Sequence, residues 1–265
     1  MIIIKVGGRV IGDTFNSFYQ NLKEISINEK LVIIHGASKD VNEFTVKMGN
    51  EPKIITSPSG FKSRYTDKET IKLFQMVVAG KINKNFISKL QSVNINAIGL
   101  SGMDAQIIKA KRKTGIKSLE NGKIKEINDD YTGKIRRVEV DVLKHLLNFN
   151  LIPVLAPIAM GQEFEPLNID GDRLAAMVAG GIEGKILIIF TDVEGVYINE
   201  KIVPIIKYND LKDMLTQVSG GMKKKLLSAK EAIDLGVEKV IIASILKEDP
   251  LKSALKGDNC SVIIK

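Results

Sequence analysis

The sequence predicts an α/β fold: a largely parallel sheet covered by helices on both faces. Apolar strand-like runs alternate with helical patterns along the whole chain. Several runs are unbroken and rich in β-branched residues, as in "IIIKV" (2–6), "LVII" (31–34) and "KILIIFTD" (185–192), the mark of strands buried on both faces. Glycine-bearing polar segments recur where those strands end, and open sheets of this kind bind ligands beyond the carboxyl ends of their strands.

In chain order, Ile2–Val6 reads as the first strand. Asp13 is placed to N-cap a helix with Phe15, Phe18, Tyr19, Leu22 and Ile25 on one face. Residues 31–34 form the second strand. Thr66 and Glu69 have the spacing of a capping box, opening a helix whose stripe is Ile71, Phe74 and Val78. "NAIGL" (96–100) is a third strand, "VDVLKHLLNFN" (140–150) a helix and "LIPVLAP" (151–157) a strand. A helix follows "NIDGD" (168–172), then the strand at 185–192. "GGMKKKLLSAKEAIDLG" is a long helix between glycines, and "KVIIAS" and "CSVIIK" are short closing strands. The odd stretch is 109–125, where Asn121-Gly122 predicts the turn of a β-hairpin inserted into the α/β pattern.

Composition narrows the class. A chain of 265 residues, 44% hydrophobic, can bury a substantial core as one large domain or two lobes. No apolar run reaches the roughly eighteen residues of a membrane span. The start does not read as a signal peptide, and the single cysteine cannot make an internal disulfide, so a cytoplasmic protein is expected. Cys260 sits in a terminal strand and reads as structural. The net charge of +8 suggests an acidic partner.

The polar segments are "KVGG" (5–8), "HGAS" (35–38), "TDVEG" (191–195), "NIDGD" and "GGMKKK" (220–225). Glycine before a helix start exposes backbone N–H groups at the positive end of the dipole, an arrangement that attracts anions. Lysine beside such places suggests phosphate. "AGGIEGKI" (179–186) fails as a P-loop: Ala179 stands at the first glycine and Ile186 at the Ser/Thr, and a strand follows. No G-x-G-x-x-G, G-x-S-x-G or metal-ligand spacing occurs, and the two histidines lie 110 positions apart.

Five of these segments, "KVGG", "HG", "NIDGDRLAA", "TDVEGVY" and "GGMKKKLLSA", resemble in that order the amino acid kinase family over essentially the whole chain. The resemblance extends to N-acetylglutamate kinases, and more closely to kinases acting on aminoadipate or glutamate held on an amino-group carrier protein. It implies a three-layer α/β/α sandwich. Residues 1–175 would form an N-terminal lobe for the acyl substrate and 176–265 a C-terminal lobe for ATP. Lys5 and Lys225 are implied as the lysines at the transferring phosphoryl group, with Asp172 holding both. Gly7 and Gly8 would be backbone donors, and Thr191 and Asp192 part of the nucleotide edge. His35 and Gly36 would lie near the acyl substrate, Arg64 would grip its α-carboxylate and Asn168 would contact the same amino acid.

The implied reaction explains the residue types. A carboxylate acceptor is already ionised at neutral pH, so no general base is required. Positioning and charge stabilisation must then do the catalysis. Mg²⁺ would arrive on the phosphates of ATP, with no protein metal site.

The chain departs from N-acetylglutamate kinases at "HGAS", where a glycine-rich loop is usual, and at the longer, more basic "GFKSRYT". Residues 109–125 carry seven basic residues and one acid, a net +6 of the total +8. Lys109, Lys111 and Arg112, with Lys62, Arg136 and Arg137, are therefore the expected docking face for a small acidic LysW-like carrier. The resemblance also implies a homodimer in lysine and arginine biosynthesis, with no nucleic acid or membrane partner. The alternatives are an N-acetylglutamate kinase, with the same chemistry on a free substrate, and a nucleic-acid-binding or regulatory protein on a kinase scaffold. The basic stretch lacks the interleaved aromatics that base stacking needs.

Overall fold

The computed structural model describes residues 1–7, 15–36, 38–120 and 122–265. The expected cap at Asp13, the donor Gly8 and the turn residue Asn121 lie outside the described residues.

Strands β1 (Ile2–Val6) and β2 (Leu31–His35) flank α1 (Asn16–Ser26). Then come α2 (Ser38–Lys47) and the short pair β3 (Ile54–Thr56) and β4 (Lys62–Arg64). One long helical run follows: α3 (Lys68–Phe74), a π-helical stretch Gln75–Ile82, and α4 (Asn83–Ser92). Next are β5 (Ala97–Gly102), β6 (Ile108–Arg112), β7 (Ile116–Glu120), β8 (Lys123–Ile127) and β9 (Gly133–Val138). They lead to α5 (Val140–Asn148), the long β10 (Ile152–Met160), β11 (Pro166–Asn168) and α6 (Gly171–Gly181). The chain continues through β12 (Ile186–Thr191), β13 (Tyr197–Ile198), β14 (Lys201–Ile202), β15 (Ile205–Lys207) and α7 (Leu211–Gln217). It closes with α8 (Gly220–Asp234), β16 (Lys239–Ser244), α9 (Pro250–Lys256) and β17 (Ser261–Ile264).

The main sheet runs β15-β17-β16-β12-β1-β2-β10-β6-β9, with β5 and β11 also paired to β10. Its centre is parallel: Lys5 stands opposite Ile34 of β2 and Ile189 of β12. β10 forks. Its first half lies between β2 and β5, and its second half pairs with β11 and touches β6. Successive residues of β1 enter opposite cores. Ile3 packs with Val32, Leu187 and the apolar faces of α6 and α8. Ile2 and Ile4 pack with Phe18, Tyr19, Phe86 and Leu251 from α1, α4 and α9. That alternation in a strand buried on both sides produces the three-layer sandwich.

Two local expectations are corrected. The cap of α3 is Asp67, whose carboxylate accepts from the Thr70 N–H at 2.8 Å. Thr66 is wholly buried and uses its hydroxyl elsewhere, which leaves the next residue to cap. Residues 109–125 are also not one hairpin. β6 and β9 extend the main sheet as an antiparallel pair, and only β7 and β8 form the hairpin. Within β6, Ile108 and Ala110 are buried while Lys109 and Lys111 are exposed. That is a half-buried sheet strand with its charges on the solvent face.

Candidate active site

The parallel strands β1, β2, β12 and β16 end at one edge, so Gly7, Gly36, Asp192 and the residues after Ser244 share that edge. The loops are tied there: Gly36 N–H donates to Val6 O at 2.7 Å, and Ile245 N–H donates to Thr191 O at 3.0 Å.

Three charged residues from different elements meet. Asp172, in the first turn of α6, is buried, with 7% of its surface exposed. Its Oδ1 lies 2.6 Å from Lys5 Nζ on β1, and its Oδ2 accepts from Lys225 Nζ of α8 at 2.8 Å. Both lysines reach the carboxylate through nearly buried side chains, 11% and 14% exposed. Burial alone would push the Asp172 carboxyl up. The two ammonium groups outweigh it and hold the pKa far below the usual carboxylate range. Burial and the neighbouring Lys5 push the Lys225 ammonium down, against the pull of Asp172 and Asp170.

The cluster carries one excess positive charge. Asp170 caps α6, its Oδ1 accepting from the N–H groups of Asp172 and Arg173, and its carboxylate also acts on Lys225 through space. α8 begins without a side-chain cap after Ser219. Gly220 (φ +57°) opens that helix, and a Cβ at Gly220, Gly221 or Gly7 would meet open space. The surplus charge and the free helix start suit an anion such as a phosphate chain. Among the described residues no three His, Cys, Asp or Glu are grouped to hold a metal.

A second polar chain joins Arg64 to Asn168. Asn168 Nδ2 donates to Thr66 Oγ1 at 3.0 Å, and the Thr66 hydroxyl donates to Arg64 O. The buried Asp130 accepts from Thr66 N–H and Thr132 N–H. The backbone N–H of Asn168 donates to Tyr131 O at 2.8 Å. Burial lowers the pKa of the half-buried Arg64, and a guanidinium stays charged at neutral pH regardless. Thr66 and Asp130 were not among the expected site residues; the only signal was the acidic pair Asp129-Asp130 at the end of a basic stretch. The β3–β4 hairpin is fastened to α8, where Lys224 Nζ donates to Lys62 O at 2.7 Å.

His35, expected near the acyl substrate, has a buried side chain. Its ring is wholly enclosed, packed edge-on against Phe86, with Nε2 accepting from Asn83 Nδ2 at 3.1 Å. The second hydrogen of that amide goes to Val154 O. The packing demands a glycine beneath it, since a Cβ at Gly99 would collide with the Asn83 side chain. The His35 carbonyl lies near Gly171 at the start of α6. Thr191 donates to Asp192 Oδ1 at 3.1 Å at the end of β12.

Burial lowers the His35 pKa to about 4. The unfolded chain therefore takes up a proton near pH 6.5 that the folded protein refuses until about pH 4. Stability from this group is complete above that window and falls as pH drops through it, by about 3 kcal/mol in all. Urea denaturation at about pH 7 and about pH 4.5 should show that loss in the parent and a shallower one in His35→Gln. Equal losses in both proteins would contradict it.

The expected docking residues are partly engaged. Arg112 stacks on Tyr131 at 3.7 Å and donates from Nε to Asp130 O. Lys109 shares Glu139 with Arg137. Lys111, Lys117 and Lys123 are exposed.

Residues 1–244 match the amino acid kinase family. A protein of Saccharolobus islandicus named LysW-aminoadipate/LysW-glutamate kinase is 38% identical over 265 residues, covering 99% of each chain. A protein of Nitrosopumilus maritimus, provisionally given the same name, is 45% identical over 264 residues, again 99% of each. Among solved structures, N-acetylglutamate synthase from Neisseria gonorrhoeae superposes with a TM-score of 0.82 at 21% identity, over 100% of this chain and 59% of that one. Carbamate kinase from Giardia lamblia gives 0.68 at 15%, over 100% and 98%. At these identities the likeness to the solved structures is one of fold.

Proposed function

The chain belongs to the amino acid kinase family, and from that premise we propose that it transfers the γ-phosphoryl group of ATP to a side-chain carboxylate of aminoadipate or glutamate. The amino acid would be attached through its amino group to a small acidic LysW-like carrier, and the product would be an acyl phosphate. The observation that carries the chemistry is the pair of nearly buried lysines bridged by one carboxylate, with one charge to spare. The choice of acceptor rests on the full-length similarity to kinases named for it.

In this reading Lys5 and Lys225 stabilise charge on the transferring phosphoryl group, and Asp172 sets their spacing. Gly7, Gly8 and the open start of α8 offer N–H groups to the phosphates, with Thr191 and Asp192 beside the nucleotide. Mg²⁺ would arrive with the phosphates of ATP and would offset their charge, while Asp170 Oδ1 caps α6 and Asp172 holds the two lysines. Arg64 and Asn168, joined through Thr66, receive the acyl amino acid together with the backbone of His35 and Gly36. Residues 1–175 serve the acceptor and 176–265 the nucleotide. The proposed boundary falls inside α6, which makes that helix common to both halves. A homodimer in the cytoplasm, serving lysine and arginine synthesis, completes the proposal.

The carrier would dock on the exposed lysines of β6 and the β7–β8 hairpin, guided by charge. The test is hydroxylamine trapping of the acyl phosphate. It compares carrier bearing aminoadipate or glutamate with free N-acetylglutamate. Turnover with the carrier alone is expected. Its KM should rise with salt and on joint neutralisation of Lys111, Lys117 and Lys123. Turnover on free N-acetylglutamate alone would make the protein an N-acetylglutamate kinase, and a KM indifferent to salt would remove the docking face.

A further inference from the structure

We propose that Arg173 and Glu231 form a positioning pair that holds Lys225 in register with Asp172, a role that rests on the phosphoryl-transfer reading. Arg173 follows Asp172 in α6, and Glu231 lies six residues after Lys225 in α8. Arg173 Nε donates to Glu231 Oε2 at 2.9 Å and to Oε1 at 3.1 Å, and its Nη2 donates to Oε1 at 2.9 Å. The same two helices are thus joined twice, by Asp172 with Lys225 and by Arg173 with Glu231. The two joints are separated by about 9 Å along α8.

One joint lets a helix pivot, and two at different heights stop both rotation and sliding. The site needs that stiffness because Lys5 repels Lys225 across the shared carboxylate. A fork-shaped pair supplies it, since two parallel N–H···O bonds fix direction as well as distance. Arg173 is held from below as well, its backbone N–H donating to Asp170 Oδ1. Its guanidinium also lies within electrostatic reach of Lys113 on the β6–β7 connection. The pair is about a third exposed on each side, so its contribution to stability is modest and its effect belongs in the rate.

The experiment uses the full chain. Arg173→Lys keeps the charge and loses the fork, and Glu231→Gln keeps the shape and loses the charge. Each should lower kcat about tenfold with KM for ATP within twofold and Tm within a few degrees. The exchange Arg173→Glu with Glu231→Arg should recover most of the rate. Competitive acetylation with acetic anhydride, read by mass spectrometry, gives a readout without substrate: labelling of Lys225 should change at least threefold in Arg173→Lys. A parent without turnover would sink the kinase reading, while the labelling would still decide on the pair. Single variants within twofold of the parent kcat, an exchange no better than either single, or unchanged Lys225 labelling would overturn the inference.

Discussion

Asp172→Asn is expected to lower kcat by about 10²–10³ and leave KM for ATP within a few-fold. Asparagine preserves the shape and one acceptor oxygen, so α6 keeps its place. What disappears is the charge that holds two ammonium groups together. Lys5 and Lys225 would then face each other uncompensated, and the already lowered pKa of Lys225 would fall further. One or both would turn from the cleft, and the phosphoryl group would lose its paired cations in the transition state, where they matter most. Removing one partner of a buried ion pair costs ~3–5 kcal/mol when the other charge stays buried. Both lysines keep a path to water here, so a stability loss of about 2 kcal/mol is expected, below the cost of a fully buried break. Its pH dependence has a definite sign. The folded pKa of Asp172 is depressed, so its stabilisation is complete above the unfolded carboxyl value and is lost as pH falls toward the folded one. Parent and variant should therefore differ by a constant amount between about pH 5 and neutrality and converge as pH falls below that. A kcat within fivefold of the parent would refute the bridging role.

The large-scale architecture was readable because buried parallel strands announce themselves. Runs such as Leu31–Ile34 have no polar face to hide, and the glycine-bearing polar segments after them mark the ligand edge. The bridge of Lys5, Asp172 and Lys225 was another matter. No periodicity links residues so far apart in the chain, and only the order of motifs brought them together on paper. Asp130, Asn83 and Glu231 were missed because each acquires its meaning from an element remote in sequence: Asp130 from the Thr66 N–H, Asn83 from the ring of His35, Glu231 from Arg173. Local rules failed where tertiary bonds competed with them. Thr66 had the spacing of a cap, yet its hydroxyl was drawn into the Arg64–Asn168 chain. The turn signal at Asn121-Gly122 likewise merged β6 with the hairpin, although the alternation of Ile108, Lys109, Ala110 and Lys111 already carried the pattern of a half-buried strand.

Lys5→Met should separate a functional residue from a structural one more sharply than any other change. Methionine matches the length of the lysine stem and can occupy its path along β1. Without the ammonium, one of the two cations at the proposed phosphoryl site is gone, and kcat should fall by about 10³, near the upper cost of removing a single preorganised electrostatic contact. Stability should move the other way. Asp172 would keep Lys225 at 2.8 Å, leaving a neutral pair instead of a cluster with surplus charge. Lys225 would also lose the repulsion of Lys5 that depresses its pKa. A Tm unchanged or raised by about 1–3 °C is expected, from a gain of roughly 1 kcal/mol at most in a chain of this size. Opposite signs for rate and stability are what a site built to receive an anion requires, because it holds like charges together before the anion arrives. Calorimetry and steady-state kinetics on the same preparation decide the matter. A kcat within tenfold of the parent would remove Lys5 from the chemistry, and a Tm lowered by more than about 5 °C would make the lysine a structural member of the strand.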